Sequence, residues 1–249
     1  MKIPILMYHQ VEDYAPRGTP LRGLVVRPKS FARQMALMSL LGYRGLSMEN
    51  LMPYLTGEKQ GKVFGITFDD GYENNLQHAL PVLQKYGFSA TCYVVSGAIG
   101  RTNVWDAALG VPQVPLMNAQ HLQQWSDSGQ EVGCHSLSHM NLMGVAPEKL
   151  FMEVVDAREK IALHLDRYAT IAHFCYPYGA CDDAAAKAVR NAGYLTATTT
   201  LRGRLDTGVP HDLHRIPRIL ISRSSTLVHL LLKCFTNYED RRGQQSILS

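Results

Sequence analysis

Lys62-Val-Phe-Gly-Ile-Thr67-Phe-Asp69-Asp70-Gly71-Tyr72, "KVFGITFDDGY", is the stretch whose reading decides the fold. Its first seven residues are apolar enough, and short enough, to read as a strand. Two adjacent carboxylates follow at the strand's C-terminal end, where they repel each other and are costly to desolvate. A surface Asp beside a helix-capping Asp would account for the pair. Gly71 offers another outcome, a turn sharp enough to bring both side chains to one cleft.

Similar units repeat outward in both directions. Upstream lie a short buried strand over Ile3–Met7 and a helix capped by Ser30 over Phe31–Leu41. Downstream the patterning predicts a helix over Asn75–Tyr86, a strand over Ala90–Val95 and a helix from Asn118 through Trp125. A strand over Gln130–Cys134 and an amphipathic helix over Pro147–Leu165 come next. Then follow strand Ala172–Tyr176, helix Asp182–Asn191, strands Tyr194–Thr200 and Arg215–Ile221, and helix Ser225–Phe235. Regular β-α alternation means a parallel sheet covered by helices, open or closed into a barrel. No linker interrupts it, so residues 1–249 read as one domain, with 239–249 as a flexible polar tail. The irregular stretches Glu12–Lys29 and Gly97–Leu116 follow strands on the motif side and are candidates to wall a substrate cleft.

The composition excludes several classes. With 46% hydrophobic and 18% charged residues, the 249-residue chain is ordinary for a globular protein. The net charge of +4 is mild, and no basic stripe interleaved with aromatics points to nucleic acid. No apolar run approaches the roughly 20 residues of a membrane helix. The first apolar stretch, about six residues, falls short of the roughly 7–15 of a secretory h-region, which favours the cytoplasm. Five cysteines at wide spacings, without Cys-x-x-Cys, fit reduced thiols.

A second motif, Gly133-Cys-His135-Ser-Leu-Ser-His139, also follows a strand, and its His-x3-His spacing suits two imidazoles on one metal. Histidine pairs arise by chance in a chain with 10 histidines. Joined to one carboxylate of the Asp pair, however, these two give three protein ligands and leave a zinc-type ion an open position. The remaining carboxylate is then free to act as a base. A third motif, Phe174-Cys-Tyr-Pro177-Tyr178-Gly179, ends another strand. Pro177 fixes its φ and lacks a donor while Gly179 permits a sharp exit, so the turn is either ordinary or built to aim the Tyr178 N–H at a developing oxyanion. All three motifs lie where α/β proteins gather their sites, at the C-terminal ends of strands.

"TFDDGY", "HSLSH" and "FCYPYG", in this order, resemble the motifs of the polysaccharide deacetylase family, the NodB-like carbohydrate esterases. The similarity runs from "LMYHQV" to "HRIPRI" and looks most like the branch that includes bacterial poly-N-acetylglucosamine deacetylases. The resemblance implies a distorted (β/α)7 barrel and metal-dependent removal of an N- or O-acetyl group from a sugar. Its substrate would be an acetylated amino-sugar oligomer, polymer or lipid-linked glycan. By position Asp69 would be the base, and Asp70, His135 and His139 would hold a divalent ion: zinc first, then cobalt, nickel or manganese. Tyr178 would supply the oxyanion N–H. His9 in "PILMYHQV" reads by itself as a core histidine, but the branch's N-terminal His makes it the candidate general acid.

The chain departs from the family pattern at two places. Cys175 fills the slot where many members carry an arginine that orients the base, and Arg218 in "HRIPRILI" is the candidate to reach in instead. The late Leu-x-His motif is not recognisable. Tyr72, Trp105, Pro177 and Arg218 are the candidate substrate contacts, Trp105 by stacking on a sugar ring as against plain burial in a loop. Two rival readings stand beside a sugar deacetylase: a non-carbohydrate amide or cyclic imide hydrolase on the same fold, and a catalytically silent glycan-binding protein.

Overall fold

The computed structural model describes residues 1–165 and 170–248, with no side chain described after residue 244. Seven apolar runs form parallel strands: β1 (Ile5–Tyr8), β2 (Val63–Phe68), β3 (Thr91–Val94), β4 (Glu131–Cys134), β5 (His173–Cys175), β6 (Thr196–Arg202) and β7 (Ile216–Leu220). Each pairs with its neighbours in chain order, and β7 returns to β1, so the sheet closes into the expected seven-stranded barrel. A further short strand, Arg44–Leu46, lies along the start of β2 outside the ring.

Alternation along the strands divides the core. Ile5, Val63, Tyr93, Cys175 and Ile216 pack with Met48, Leu51 and Leu55 in one cluster. Leu6, Tyr8, Phe64, Phe68 and Phe174 pack beneath the helices with Phe31, Met35, Trp125 and Val189 in another. Space inside the barrel is tight. A Cβ at Gly133 would stand 2.5 Å from the Tyr93 ring, so β4 needs glycine there.

Several helices depart from expectation for identifiable reasons. Helix α1 is Pro28–Leu40, because Pro28 suits a first turn; Ser30 is therefore inside the helix rather than its cap. The expected Asn75–Tyr86 helix is two, α3 (Glu73–His78) and α4 (Leu80–Tyr86), since Pro81 has no N–H to continue one ladder across Ala79. Helix α2 (Met48–Leu55), capped by Ser47, is an addition whose internal Pro53 obscured it. The long helix after Pro147 passes through a π-helical turn at Met152–Asp156. The segment read as a polar tail is helix α5 (Tyr238–Leu248), and Ser249 lies outside the described residues. Asp240 anchors α5 by accepting from Arg204 Nη2 at 2.7 Å and Lys2 Nζ at 2.8 Å, contacts between residues far apart in sequence. No helix among the described residues is long and apolar enough to cross a membrane.

Candidate active site

The three motifs meet at the C-terminal rim. The ladder runs one residue past β2 and β4: Asp69 N–H donates to Tyr8 C=O, and His135 N–H to Val94 C=O, both at 2.9 Å. Asp70 then turns with φ 73° and Gly71 with φ 80°. Asp70, Ser136, His139 and Tyr178 are four of the five non-glycine residues with left-handed φ among the described residues. Such conformations cost on the order of 1–3 kcal/mol each and persist where surrounding contacts enforce them. For the loop from Ser136 to His139 the enforcing contact is Glu153, from the π-helical turn. Its buried carboxylate accepts from Leu137 N at 3.1 Å, Ser138 N at 2.9 Å and Ser138 Oγ at 2.6 Å. No local pattern in the sequence marks Glu153, which reaches the loop only through tertiary packing.

Asp70 Oδ1 stands 3.4 Å from His135 Nε2 and 3.2 Å from His139 Nε2. Ligand atoms at about 2.0–2.1 Å from a tetrahedral ion are about 3.3 Å apart. The three residues therefore fit a cation of zinc's size. His135 Nδ1 lies 2.8 Å from Cys175 C=O. A carbonyl only accepts, so Nδ1 donates to it and Nε2 is the nitrogen that faces the shared point. Burial pushes the Asp70 carboxyl up, but hydrogen bonds from the two imidazoles outweigh it and hold the group well below the carboxylate range.

Asp69 is only 2% exposed and is held differently. Arg218, fully buried on β7, donates Nη1 to Asp69 Oδ1 and Nη2 to Oδ2, both at 2.7 Å. Its Nε donates to Thr199 C=O at 2.9 Å, and Nη2 lies 3.1 Å from Cys175 Sγ. The guanidinium thus occupies the space beside the cysteine. A register shift between β6 and β7, next to Pro217, re-aims the strand at this point. Burial pushes the Asp69 carboxyl up, but the Arg218 charge and hydrogen bonds prevail and hold it below its ordinary 3.8. Asp69, His135 and Cys175 also offer ligand atoms within 4.8 Å of one another. Arg218 already supplies the positive charge in that second trio, which leaves Asp70, His135 and His139 as the vacant-charge set.

His9 completes the rim, with Nε2 4.0 Å from Asp69 Oδ2. Its backbone C=O accepts from Asn75 Nδ2 at 2.7 Å, which fixes the exit of β1. The Trp105 ring stacks on His139 with centroids 4.5 Å apart, and the Tyr178 ring meets the same imidazole edge-on at 4.7 Å. One face of Trp105 is therefore taken by a site histidine. Tyr178 is 54% exposed, whereas Pro177 is buried. Arg218, buried and paired with Asp69, is not placed to touch substrate as expected; it positions a carboxylate instead.

A cleft of about 210 Å³ opens beside His9, Asp70, Tyr72 and Asp106. Its outer walls come from Tyr14–Val25 and Val111–Val114, within the two irregular stretches singled out from the sequence. Tyr72 is nearly buried but lines this cleft.

Comparison with known proteins agrees with this geometry. A family profile described as polysaccharide deacetylase matches residues 56–197, more than half of the chain. This chain is a polysaccharide deacetylase family member. The Bacillus subtilis (strain 168) protein YxkH, classed by name with these deacetylases, is 30% identical over 86% of this chain and 71% of its own length. A Staphylococcus aureus poly-beta-1,6-N-acetyl-D-glucosamine N-deacetylase is 27% identical over 69% of this chain, which spans 60% of that enzyme. Among solved structures, the Streptococcus pyogenes deacetylase PplD, in complex with acetate, superposes with TM-score 0.80 at 25% identity, covering 94% of this chain and 98% of that one.

Proposed function

We propose that this deacetylase removes acetyl groups from N-acetylated amino sugars of a glycan or glycan precursor, with a divalent cation, zinc first, held by Asp70, His135 and His139. One observation carries the reading: three buried ligand atoms converge beside a separate carboxylate, Asp69, that Arg218 keeps ionised and in place. The named activity of the staphylococcal relative supports the amino-sugar substrate, and the acetate bound to PplD supports the product.

A divalent cation at the shared point supplies Lewis-acid polarisation of the acetyl carbonyl and makes an attacking water more acidic. Asp69, ionised throughout the neutral range, takes the proton of that water. Arg218 locks both carboxylate oxygens in a bidentate pair, so the base does not rotate as the proton arrives. The Tyr178 N–H donates to the developing oxyanion. His9 Nε2 gives a proton to the departing nitrogen, a task suited to an imidazole at neutral pH. Trp105 and Tyr178 pack against His139 and limit water around it.

The test is acetate release from N-acetylglucosamine oligomers by purified protein of known metal content. Release should stop with a chelator and return with zinc. A metal-loaded protein that frees no acetate from any acetylated amino sugar would end this reading.

A further inference from the structure

Asp106 is only 5% exposed, yet it lines the cleft with His9, Asp70 and Tyr72. No ion pair to it occurs among the described residues, and it is not one of the three grouped ligand residues. It therefore has neither a counter-ion nor a place in the metal set. Its position is nevertheless built. Asp106 N–H donates to Asn103 C=O at 3.1 Å, and Val111 N–H donates to Asp106 C=O at 3.4 Å. Fully buried Asn103 braces the same loop, accepting from Val114 N at 2.7 Å and donating to Pro112 C=O at 3.3 Å. The Asn103 side chain hydrogen-bonds the Asp106 carboxyl, but no cation balances it, and native structures keep such under-compensated groups where a ligand completes them.

The surroundings say which part of a ligand that is. Trp105 and Tyr178 crowd His139 on one side of the ligand trio. The cleft is lined by His9 and Asp70 but not by His135 or His139. If His9 protonates the departing nitrogen, the cleft holds what that nitrogen is attached to, the sugar. A carboxylate only accepts hydrogen bonds, and with the amide nitrogen facing His9 the donors left on an acetamido sugar are its hydroxyls.

We propose, resting on the deacetylase reading above, that the Asp106 carboxylate binds a hydroxyl of the acetamido sugar and makes the enzyme specific for hydroxylated amino sugars over simple acetyl compounds. The same negative charge disfavours a sugar carrying phosphate or carboxylate at that position. A hydrogen bond to a charged group is worth about 1.5–3 kcal/mol, roughly 10- to 150-fold in kcat/KM.

The experiment compares metal-loaded wild type with Asp106→Ala and Asp106→Asn on N-acetylglucosamine oligomers, their monodeoxy analogues and 4-nitrophenyl acetate. Asp106→Ala should lower kcat/KM on the sugar at least ten-fold more than on the nitrophenyl ester, with metal content kept, and Asp106→Asn should fall between. One monodeoxy analogue should cost wild type a similar factor and be insensitive to the substitution. Equal losses on every substrate, or loss of metal, would overturn the assignment. A wild type inactive on all sugars would count against the deacetylase reading itself. In that event, calorimetric binding of the oligomer to metal-loaded protein decides Asp106 separately: unchanged affinity in Asp106→Ala refutes the hydroxyl contact, and weakened affinity supports it.

Discussion

At the barrel's C-terminal rim, Asp70 Oδ1 stands 3.2 and 3.4 Å from two imidazole nitrogens. At the opposite end, Glu131 Oε1 stands 3.5 Å from His173 Nε2, also out of solvent. Both ends bury a carboxylate with histidine. One oxygen of the floor carboxylate, however, is spent on the framework around it. Glu131 Oε2 accepts from Thr91 Oγ1 at 2.7 Å and Glu49 N at 3.0 Å, and His173 Nδ1 lies 2.7 Å from Thr196 Oγ1. Thr91, Glu131, His173 and Thr196 begin four adjacent strands, β3 to β6, so this layer ties the barrel's base together. At the rim, two imidazoles rather than one aim their outer nitrogens at a single carboxylate oxygen beside a cleft. Burial and residue type are thus poor guides to chemistry; the number of lone pairs aimed at one accessible point separates the two ends.

Substitutions can test that contrast. The largest effect should come from His135→Ala, which leaves two ligands: metal by elemental analysis should drop to near zero and activity with it. The matching floor change, His173→Ala, should keep the metal. Asp69→Asn should keep the metal and lose about 10²–10⁴ in kcat, the usual range for a lost general base. Near-normal turnover would remove Asp69 from that role. Arg218→Met strips the partner from a buried carboxylate and should cost about 3–5 kcal/mol in denaturant unfolding, along with activity. Glu131→Ala, which leaves Thr91 Oγ1 and Glu49 N without their acceptor, should cost about 1–3 kcal/mol with kcat/KM nearly unchanged. A comparable loss of metal in Glu131→Ala would erase the distinction between the two ends.

The smallest effect concerns α5. Burial pushes the Asp240 carboxyl up, but hydrogen bonds from Arg204 and Lys2 bring it down to about 2, from an ordinary 3.8. The unfolded chain therefore takes up this proton first as pH falls. The anchor contributes fully above 3.8 and is lost as pH falls through about 2, which faster amide exchange across residues 239–244 would reveal.

The parallel strands were legible because apolar runs at regular spacing record where they lie, and the His pair with one carboxylate because each motif ends a strand; closure into a barrel and the choice of Asp70 over Asp69 came with the family resemblance. Closure by β1 also made sense of His9, since a first strand parallel to the rest delivers the residue that follows it to the same rim. Other features depend on distant partners. Arg218 shares the inward face of β7 with Ile216, but Asp69 lies 149 positions away and only the closed barrel brings the two together. Glu153 reads as one more charge on an amphipathic helix until the chain is folded. Pro53 concealed α2, since proline normally ends a helix rather than sitting inside one.

The Arg218 brace spans the join where the barrel closes: β7 and β2 flank β1, and the guanidinium runs from one flank to the other. The proposed base is thereby wired across the seam where the first and last strands meet. A fluctuation that parts β1 from either flank would pull the guanidinium from its carboxylate, so the proposed chemistry would fail while the other staves still hold.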